Sequence, residues 1–204
     1  MPDFDRSPDG LAFSPSVQAM QQRLGSRRLH QDAEWPIDIS RELETLIARQ
    51  RSIFIATASA AGQPYIQHRG GSPGFLKVLG SRSLAMPDLR GNGQYVTAGN
   101  LDENPRMVIF LIDYTTRSRV KIWGRARRVE GDADLSASAG APGLPVLLIE
   151  VEAWDANCPR NIPVRMEQDE VERLLQARDR RIAELEEELA RCRAQDRTTD
   201  RGTA

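Results

Sequence analysis

The chain has 204 residues, of which 40% are hydrophobic and 28% charged, with a formal net charge of −1. That length holds one domain and an appendage. The near balance of charge excludes a nucleic-acid binder driven by bulk electrostatics, because phosphate contacts need a basic excess. No stretch reaches the roughly 20 apolar residues of a membrane-spanning helix, and Met1 to Asp9 lacks the charged-then-apolar order of a signal peptide. The expectation is a cytoplasmic protein without membrane or nucleic-acid partners. Cys158 and Cys192 are too few for a disulfide framework, and neither has metal-ligand spacing with His30 or His68, so no metal is expected. A P-loop and a nucleophile elbow are absent.

In chain order, residues 1–13 are polar and turn-rich and read as a flexible N-terminus. Ser14 reads as a helix N-cap with Pro15 at the first helical position, and Val17, Met20 and Leu24 follow at helical spacing up to Gly25. A second helix is predicted from Ser40 to Gln50, with Leu43, Leu46 and Ile47 on one face. Strand formers then take over. Ser52–Ala58, a turn at Ala61-Gly62-Gln63-Pro64 and Tyr65–His68 predict a hairpin. Phe75–Leu79 and Ser83–Met86 predict two more strands. Gly91-Asn92-Gly93 is expected to open a helical segment reaching Glu103, closed by Asn104-Pro105.

Arg106–Asp113 is a continuous apolar run and reads as a buried strand. From Arg119 to Val129 the pattern alternates. Val120, Ile122, Gly124 and Ala126 share one face; Arg119, Lys121, Trp123, Arg125 and Arg127 share the other. A short helix or loop at Ala133–Ala139 precedes a last strand, Pro145–Trp154. Six or seven mostly antiparallel strands with few helices between them favour a closed barrel, which removes exposed edges. Beyond residue 166 the chain is almost all helix formers and charges. Val171, Leu175, Arg178, Ile182, Leu185, Leu189 and Cys192 alternate at spacings of four and three, an a/d seam. It reads either as an amphipathic helix packed on its own barrel or as a coiled coil with a partner, with Arg178 weakening the second. The expected division is 1–13 flexible, 14–165 barrel domain, 166–195 C-terminal helix and 196–204 disordered tail.

Three stretches are rich enough in donors to carry chemistry. The first is Gln67-His68-Arg69-Gly70-Gly71-Ser72-Pro73-Gly74-Phe75-Leu76-Lys77. Its glycines let a flat ligand approach the backbone, and Arg69 and Lys77 offer positive charge. It also reads as a wide turn with two solvated cations. The second is Asp88-Leu89-Arg90-Gly91-Asn92-Gly93-Gln94, which leads into a helix start, where free N–H groups favour anions and phosphate is the usual guest. Arg90 adds a planar donor fork, and Asn92 and Gln94 add neutral donors. Asn100 either faces the same pocket or caps the helix end. The third runs from Trp154 through Cys158 to Pro163. With no base nearby in sequence, Cys158 reads as buried and structural rather than catalytic. A lone His68 beside a turn reads as structural more readily than as a proton donor.

These residues together resemble the pyridoxamine 5'-phosphate oxidase-like, FMN-binding split-barrel proteins. The likeness rests on Phe54-Ile55-Ala56-Thr57-Ala58, Gly62–Gly71, Leu84-Ala85-Met86-Pro87-Asp88, Arg90-Gly91-Asn92, Gly99-Asn100-Leu101, Asn104-Pro105 and Lys121–Ala126. It covers about residues 13–165, and the Glu150–Asp155 strand with its Asn157-Cys158-Pro159 tail is similar to one largely uncharacterised bacterial subgroup. The resemblance implies a six-stranded antiparallel split β-barrel with flanking helices, paired as a homodimer with FMN in a groove at the interface. It implies cofactor contacts from the region His68, Arg69, Gly70, Gly71 and Lys77, from Asp88, and from Arg90, Asn92 and Gln94 at the phosphate, with Asn100 nearby. Arg119 and Lys121 are implied to reach the flavin from the other chain.

Two departures bear on activity. The oxidase's C-terminal Arg and His, which hold its product, have no counterpart, and its Ser-Arg-Lys phosphate motif is replaced by Arg90-Gly91-Asn92. Oxidation of pyridoxamine phosphate is therefore not expected. The expectation is an FMN-dependent oxidoreductase for an unidentified small molecule, with no catalytic side chain assigned because the cofactor carries the chemistry. Lys77 or Arg69 is the expected positive group at the ring edge. The alternatives are a flavin-binding or scaffold protein without turnover, and a split-barrel enzyme using deazaflavin or haem.

Overall fold

The computed structural model describes residues 8–157 and 160–200; Cys158 and the tail at 201–204 lie outside the described residues. The chain divides into two compact units, Met1–Ile162 and Pro163–Ala204. The first begins with two short helices, α1 (Pro8–Leu11) and α2 (Pro15–Arg23). The Ser14 side chain caps α2 by accepting from the Val17 N–H, and Gly25 turns the chain out with φ +76°. Helix α3 (Arg41–Arg49) is capped by Ser40 and buries Leu43, Leu46 and Ile47.

Seven strands follow: β1 (Ser52–Ala58), β2 (Pro64–Gly70), β3 (Lys77–Gly80), β4 (Ser83–Pro87), β5 (Arg106–Asp113), β6 (Ser118–Val129) and β7 (Val146–Asn157). Helix α4 (Val96–Glu103) lies between β4 and β5, and α5 (Ala133–Ser138) between β6 and β7. All pairings are antiparallel, in the order β2-β1-β5-β6-β7-β4-β3. The expected architecture, antiparallel β with flanking helices and a long C-terminal helix, is what the chain forms. Two details differ from the six-stranded closed barrel. The short β3 adds a seventh strand through a ladder to β4 that is interrupted at Leu79. The sheet is also open, with β2 and β3 at its edges among the described residues.

The inner face carries the core: Ile53 and Ile55, Ile109 and Leu111, Ile122, Leu84 and Met86, Leu147 and Ile149 are all at most 1% exposed. Each such side chain stabilises the fold by about 1.5–3 kcal/mol through burial. The alternation read from Arg119 to Val129 holds, with Val120, Ile122, Gly124 and Ala126 buried. Gly124 has a second duty. Trp123 pairs with Ala153 but Gly124 with Val151, so Glu152 is an extra residue in β7 and the ladder bulges. A Cβ at Gly124 would lie 2.4 Å from the Glu150 carbonyl oxygen.

The segment before α3 crosses back onto this sheet. Trp154 N–H donates to Pro36 O (2.9 Å), its indole donates to Asp38 O (3.0 Å), and Ile39 N–H donates to Ser81 O (2.7 Å). Residues 36–39 thus take up backbone donors where β7 has outrun β4. Trp35 stacks on Trp123 at 4.5 Å, and Phe13 meets both His30 and Trp35 edge-on. In the second unit, α6 runs from Gln168 to Asp200, past the predicted end at 195. Among the described residues no helix is long and apolar enough to cross a membrane.

Candidate functional site

Strand β2 alternates in and out, so consecutive residues serve opposite faces. Gln67 and Arg69 point inward, paired in register with Ile55 and Ile53; His68 and Gly70 point outward, opposite Phe54 and Ser52. Arg69 therefore reaches into the end of the sheet, where its Nη2 donates to Asp88 Oδ1 at 3.1 Å. Asp88 follows β4, and its own N–H donates to Pro145 O. Its second oxygen accepts from Arg128 Nε at 2.7 Å, and Arg128 in turn bonds Glu130. Asp88 is 8% exposed and Arg69 15% exposed, so two guanidiniums share one nearly buried carboxylate. Arg90 adds a cation at the rim. This end of the sheet favours an anion.

The loop from Asp88 to Tyr95 forms the opposite wall. Gly91, Gly93 and Tyr95 have φ of +51°, +74° and +54°, and the residues between them do not. Alternating backbone handedness of this kind makes an anion-binding concavity. The loop is held by its own bonds: Asn92 Oδ1 accepts from the Gln94 N–H (3.1 Å), and Asn92 Nδ2 donates to Gln94 Oε1 (3.0 Å). Tyr95, a non-glycine in left-handed geometry, bears strain of about 1–2 kcal/mol. The helix expected to open at Gly91 starts instead at Val96, because the glycines use their freedom to turn the chain.

Arg69, Asp88, Arg90 and Asn92 thus line one cleft with Gln67 of the first stretch, together with Tyr95 and Thr97, which the sequence did not single out. Thr97 donates to Gln67 Oε1 at 2.7 Å and ties α4 to β2. Arg128 was also missed, because only the fold brings it to Asp88. The cleft measures about 20 Å³, room for little more than one water. A larger open groove of about 470 Å³ lies over the ends of β4, β6 and β7. Arg82 and Arg125, two of its arginines, face Asp38 (3.9 Å) and Glu152 (3.6 Å), which weakens its pull on anions.

The other predicted residues lie elsewhere. Asn100 donates to Thr57 Oγ1 (3.0 Å), pinning α4 to β1 rather than lining the cleft. Lys77 lies along Gly140 and Gly74, where its Cε and Nζ would stand 3.4 and 3.3 Å from added Cβ atoms. A Cβ at Gly71 would meet Phe75 at 2.7 Å, which accounts for that glycine by packing. His68 Nε2 is bonded to Ser52 Oγ at 2.8 Å and its ring meets Phe54 edge-on. Arg119 and Lys121 share the outer face with His68 and Gly70. Register places His68, Phe54, Phe110 and Lys121 in one row, with Gly70 paired to Ser52 and Arg119 paired to Ile112 further along. Arg69 Nε and Arg119 Nε are among the buried guanidinium nitrogens that have no hydrogen-bond partner. Such orphans are rare in folded proteins and mark places where an acceptor belongs.

Comparison with known proteins adds family membership. HupZ of Group A Streptococcus matches at 22% identity over 63% of this chain and 99% of its own, with a TM-score of 0.49. HutZ, the haem storage protein of Vibrio cholerae, matches at 15% identity over 58% and 94%, with a TM-score of 0.40. A Clostridium acetobutylicum protein related to general stress protein 26, of the pyridoxine phosphate oxidase family, matches at 12% identity over 64% and 94%, also at 0.40. No curated protein matches the sequence. Residues 39–158, more than half of the chain and including every element of the cleft, match the family model for pyridoxamine 5'-phosphate oxidase, and the chain belongs to that family.

Proposed function

We propose that this chain is an FMN-binding flavoprotein whose site is shared between two copies, and that it serves as an oxidoreductase for a small molecule other than pyridoxamine phosphate. The observation that carries the reading is the pair of buried, acceptor-less donors, Arg69 Nε and Arg119 Nε, on opposite faces of the sheet. One chain cannot bring both faces to one ligand. A second copy can, by laying its outer face, with Arg119 and Lys121, against the first copy's cleft. The volume of the cleft argues the same way, since about 20 Å³ cannot hold a ring system without further surface.

The outer face suits such a partner. Ile66 is 66% exposed, and Phe54, Ala56, Val108 and Phe110 beside it are only half-buried. A contiguous apolar strip of this kind marks an interaction surface. Within the shared site, Arg90 and the turn at Gly91–Gln94 would hold the phosphate, and Asn92 would fix the turn. Arg69, braced by Asp88, would place positive charge at the ring edge and favour its reduced anionic form. FMN supplies the electron transfer when bound.

The test is the visible spectrum of the purified protein, before and after addition of FMN and desalting. Wild type is expected to retain flavin bands, and Arg69→Ala to lose at least about tenfold in affinity, roughly 1.4 kcal/mol. Arg90→Ala with Asn92→Ala is expected to release FMN while riboflavin binding changes little. A folded dimer that retains no flavin overturns the assignment, and a haem or deazaflavin spectrum replaces it. Retained flavin that no electron donor reduces leaves a binding protein rather than an enzyme.

A further inference from the structure

The second unit carries a surface that the flavin reading does not use. Helix α6 has 33 residues, about 50 Å at 1.5 Å per residue. Along it Val171, Leu175, Ile182, Leu185 and Leu189 are 38%, 49%, 45%, 46% and 49% exposed. They follow one another at the spacings of a heptad seam, with Leu175, Ile182 and Leu189 at a, and Val171, Arg178 and Leu185 at d. A stripe of large side chains left this open gains by being covered, since each would stabilise the covered state by up to about 1.5–3 kcal/mol.

We propose that α6 pairs with α6 of a second copy of this chain as a parallel, in-register two-stranded coiled coil. Charge complementarity at the rim carries the choice of partner and orientation. Glu172, Asp179 and Glu186 occupy e positions, and Leu174, Arg181 and Glu188 occupy g positions. In a parallel pair each g residue faces the e residue of the next heptad on the other helix. Arg181 then meets the partner's Glu186, twice by symmetry. In an antiparallel pair e faces e and g faces g. Aligning the same apolar layers then sets Asp179 against Glu186 twice, like charge on like, which offsets the two Arg181–Glu188 pairs it also makes.

Within one helix Arg181 already bonds Glu184 at 2.9 Å, but both side chains are more than half exposed. An exposed pair of this kind exchanges partners at little cost. Arg178 interrupts the seam at one d position. In the in-register pair the two Arg178 share this layer; their methylene stems cover the stripe while the charged ends diverge into water, and one polar residue in a seam fixes register. The pairing needs only a second copy and is independent of flavin.

The test uses the full-length chain with Cys158→Ser, which leaves Cys192 as its single thiol. Position 192 continues the d series. In a parallel in-register pair the two Cys192 share a layer, within the Cα separation of about 4.4–6.8 Å that a disulfide spans. Antiparallel helices would hold them about 25 Å apart. Oxidation by copper phenanthroline in air removes two electrons from two thiols, and a covalent dimer reversed by dithiothreitol is expected as the main product. Its yield is expected to fall about threefold in Arg181→Glu or Glu186→Arg alone, as two rim pairs are lost. An equal mixture of the two variants, which restores opposite charge, is expected to recover it. A sample that stays folded and forms no Cys192 link overturns the proposal. So does a link that forms only between Leu175→Cys in an otherwise cysteine-free chain and Cys192 in the other. Flavin content is read on the same samples, so this proposal and the flavin reading fail separately.

Discussion

At the scale of single residues, the cleft depends on Asp88 more than on any group that would touch a ligand. Its two oxygens separate Arg69 from Arg128, at 3.1 and 2.7 Å. Asp88→Ala leaves Arg69 without its counter-charge and Arg128 with Glu130 alone, and a loss of about 2–4 kcal/mol in urea unfolding is expected. Asp88→Asn keeps the shape and one acceptor, and is expected to lose less stability while still weakening flavin retention. Gly124 is the second sensitive point. Its added Cβ would strike a backbone oxygen that no rotamer change can move. Gly124→Ala is expected to cost about 1–3 kcal/mol, read as a lowered Tm. The glycine was legible in the sequence as a member of the apolar face of its strand. Its duty at the bulge was not, because that depends on the register of a strand more than twenty residues later. Arg128 was illegible for the same reason.

At the scale of elements, helices with side-chain caps were read closely. Ser14 with Pro15 and Ser40 cap the helices they were expected to cap. Helix α4 was misplaced because its start has no cap signal: Tyr95 makes no side-chain bond there, and the glycines that drew the prediction belong to the turn before it. Asn100 was read as a site residue, yet its bond to Thr57 is one of a set that fastens the end of α4 to the first hairpin, with Asn104 to Ala58 O and Glu103 to the Ala60 N–H. The N-terminal segment is tied by Arg27, which forks onto both oxygens of Asp9 and holds that carboxyl below its ordinary value near 3.8. A lowered folded-state value means that the tie is fully present above the ordinary carboxylate range and is lost as pH falls through the lowered value. Amide exchange at residues 8–30 is therefore expected to accelerate below about pH 4. Asp9→Asn should show fast exchange already at neutral pH, without that step.

At the scale of the whole molecule, the fold class and the succession of strands along the chain follow from period-two patterning and turn residues, and the family from motifs such as Arg90-Gly91-Asn92 and Asn104-Pro105. What the pattern did not disclose was closure. Barrel or open sheet depends on whether the first and last strands meet, and neither propensity nor periodicity encodes that distance. The same holds for assembly. Ile66 is the most exposed large side chain on the outer face of the first hairpin, and a polar residue there is harmless to an isolated chain. Ile66→Asp is expected to leave unfolding of the isolated chain within about 0.5 kcal/mol of wild type. Light scattering is expected to show a shift toward monomer, with flavin retention falling in parallel. Retained dimer and flavin in this variant would move the interface elsewhere on the sheet.

The clasp of Pro36 and Asp38 on Trp154 sets an order of events during synthesis. Donor and acceptor are separated by well over a hundred residues, so closing that loop is entropically costly and depends on contacts made earlier. A nascent chain emerges from its N-terminus, and this segment must wait until almost the entire first unit has left the ribosome. Through that interval Trp35 has no Trp123 to stack on, and the outer sheet surface around it stays open to other chains. The first helices are therefore made well before the strands they dock on, and are among the last to find their place.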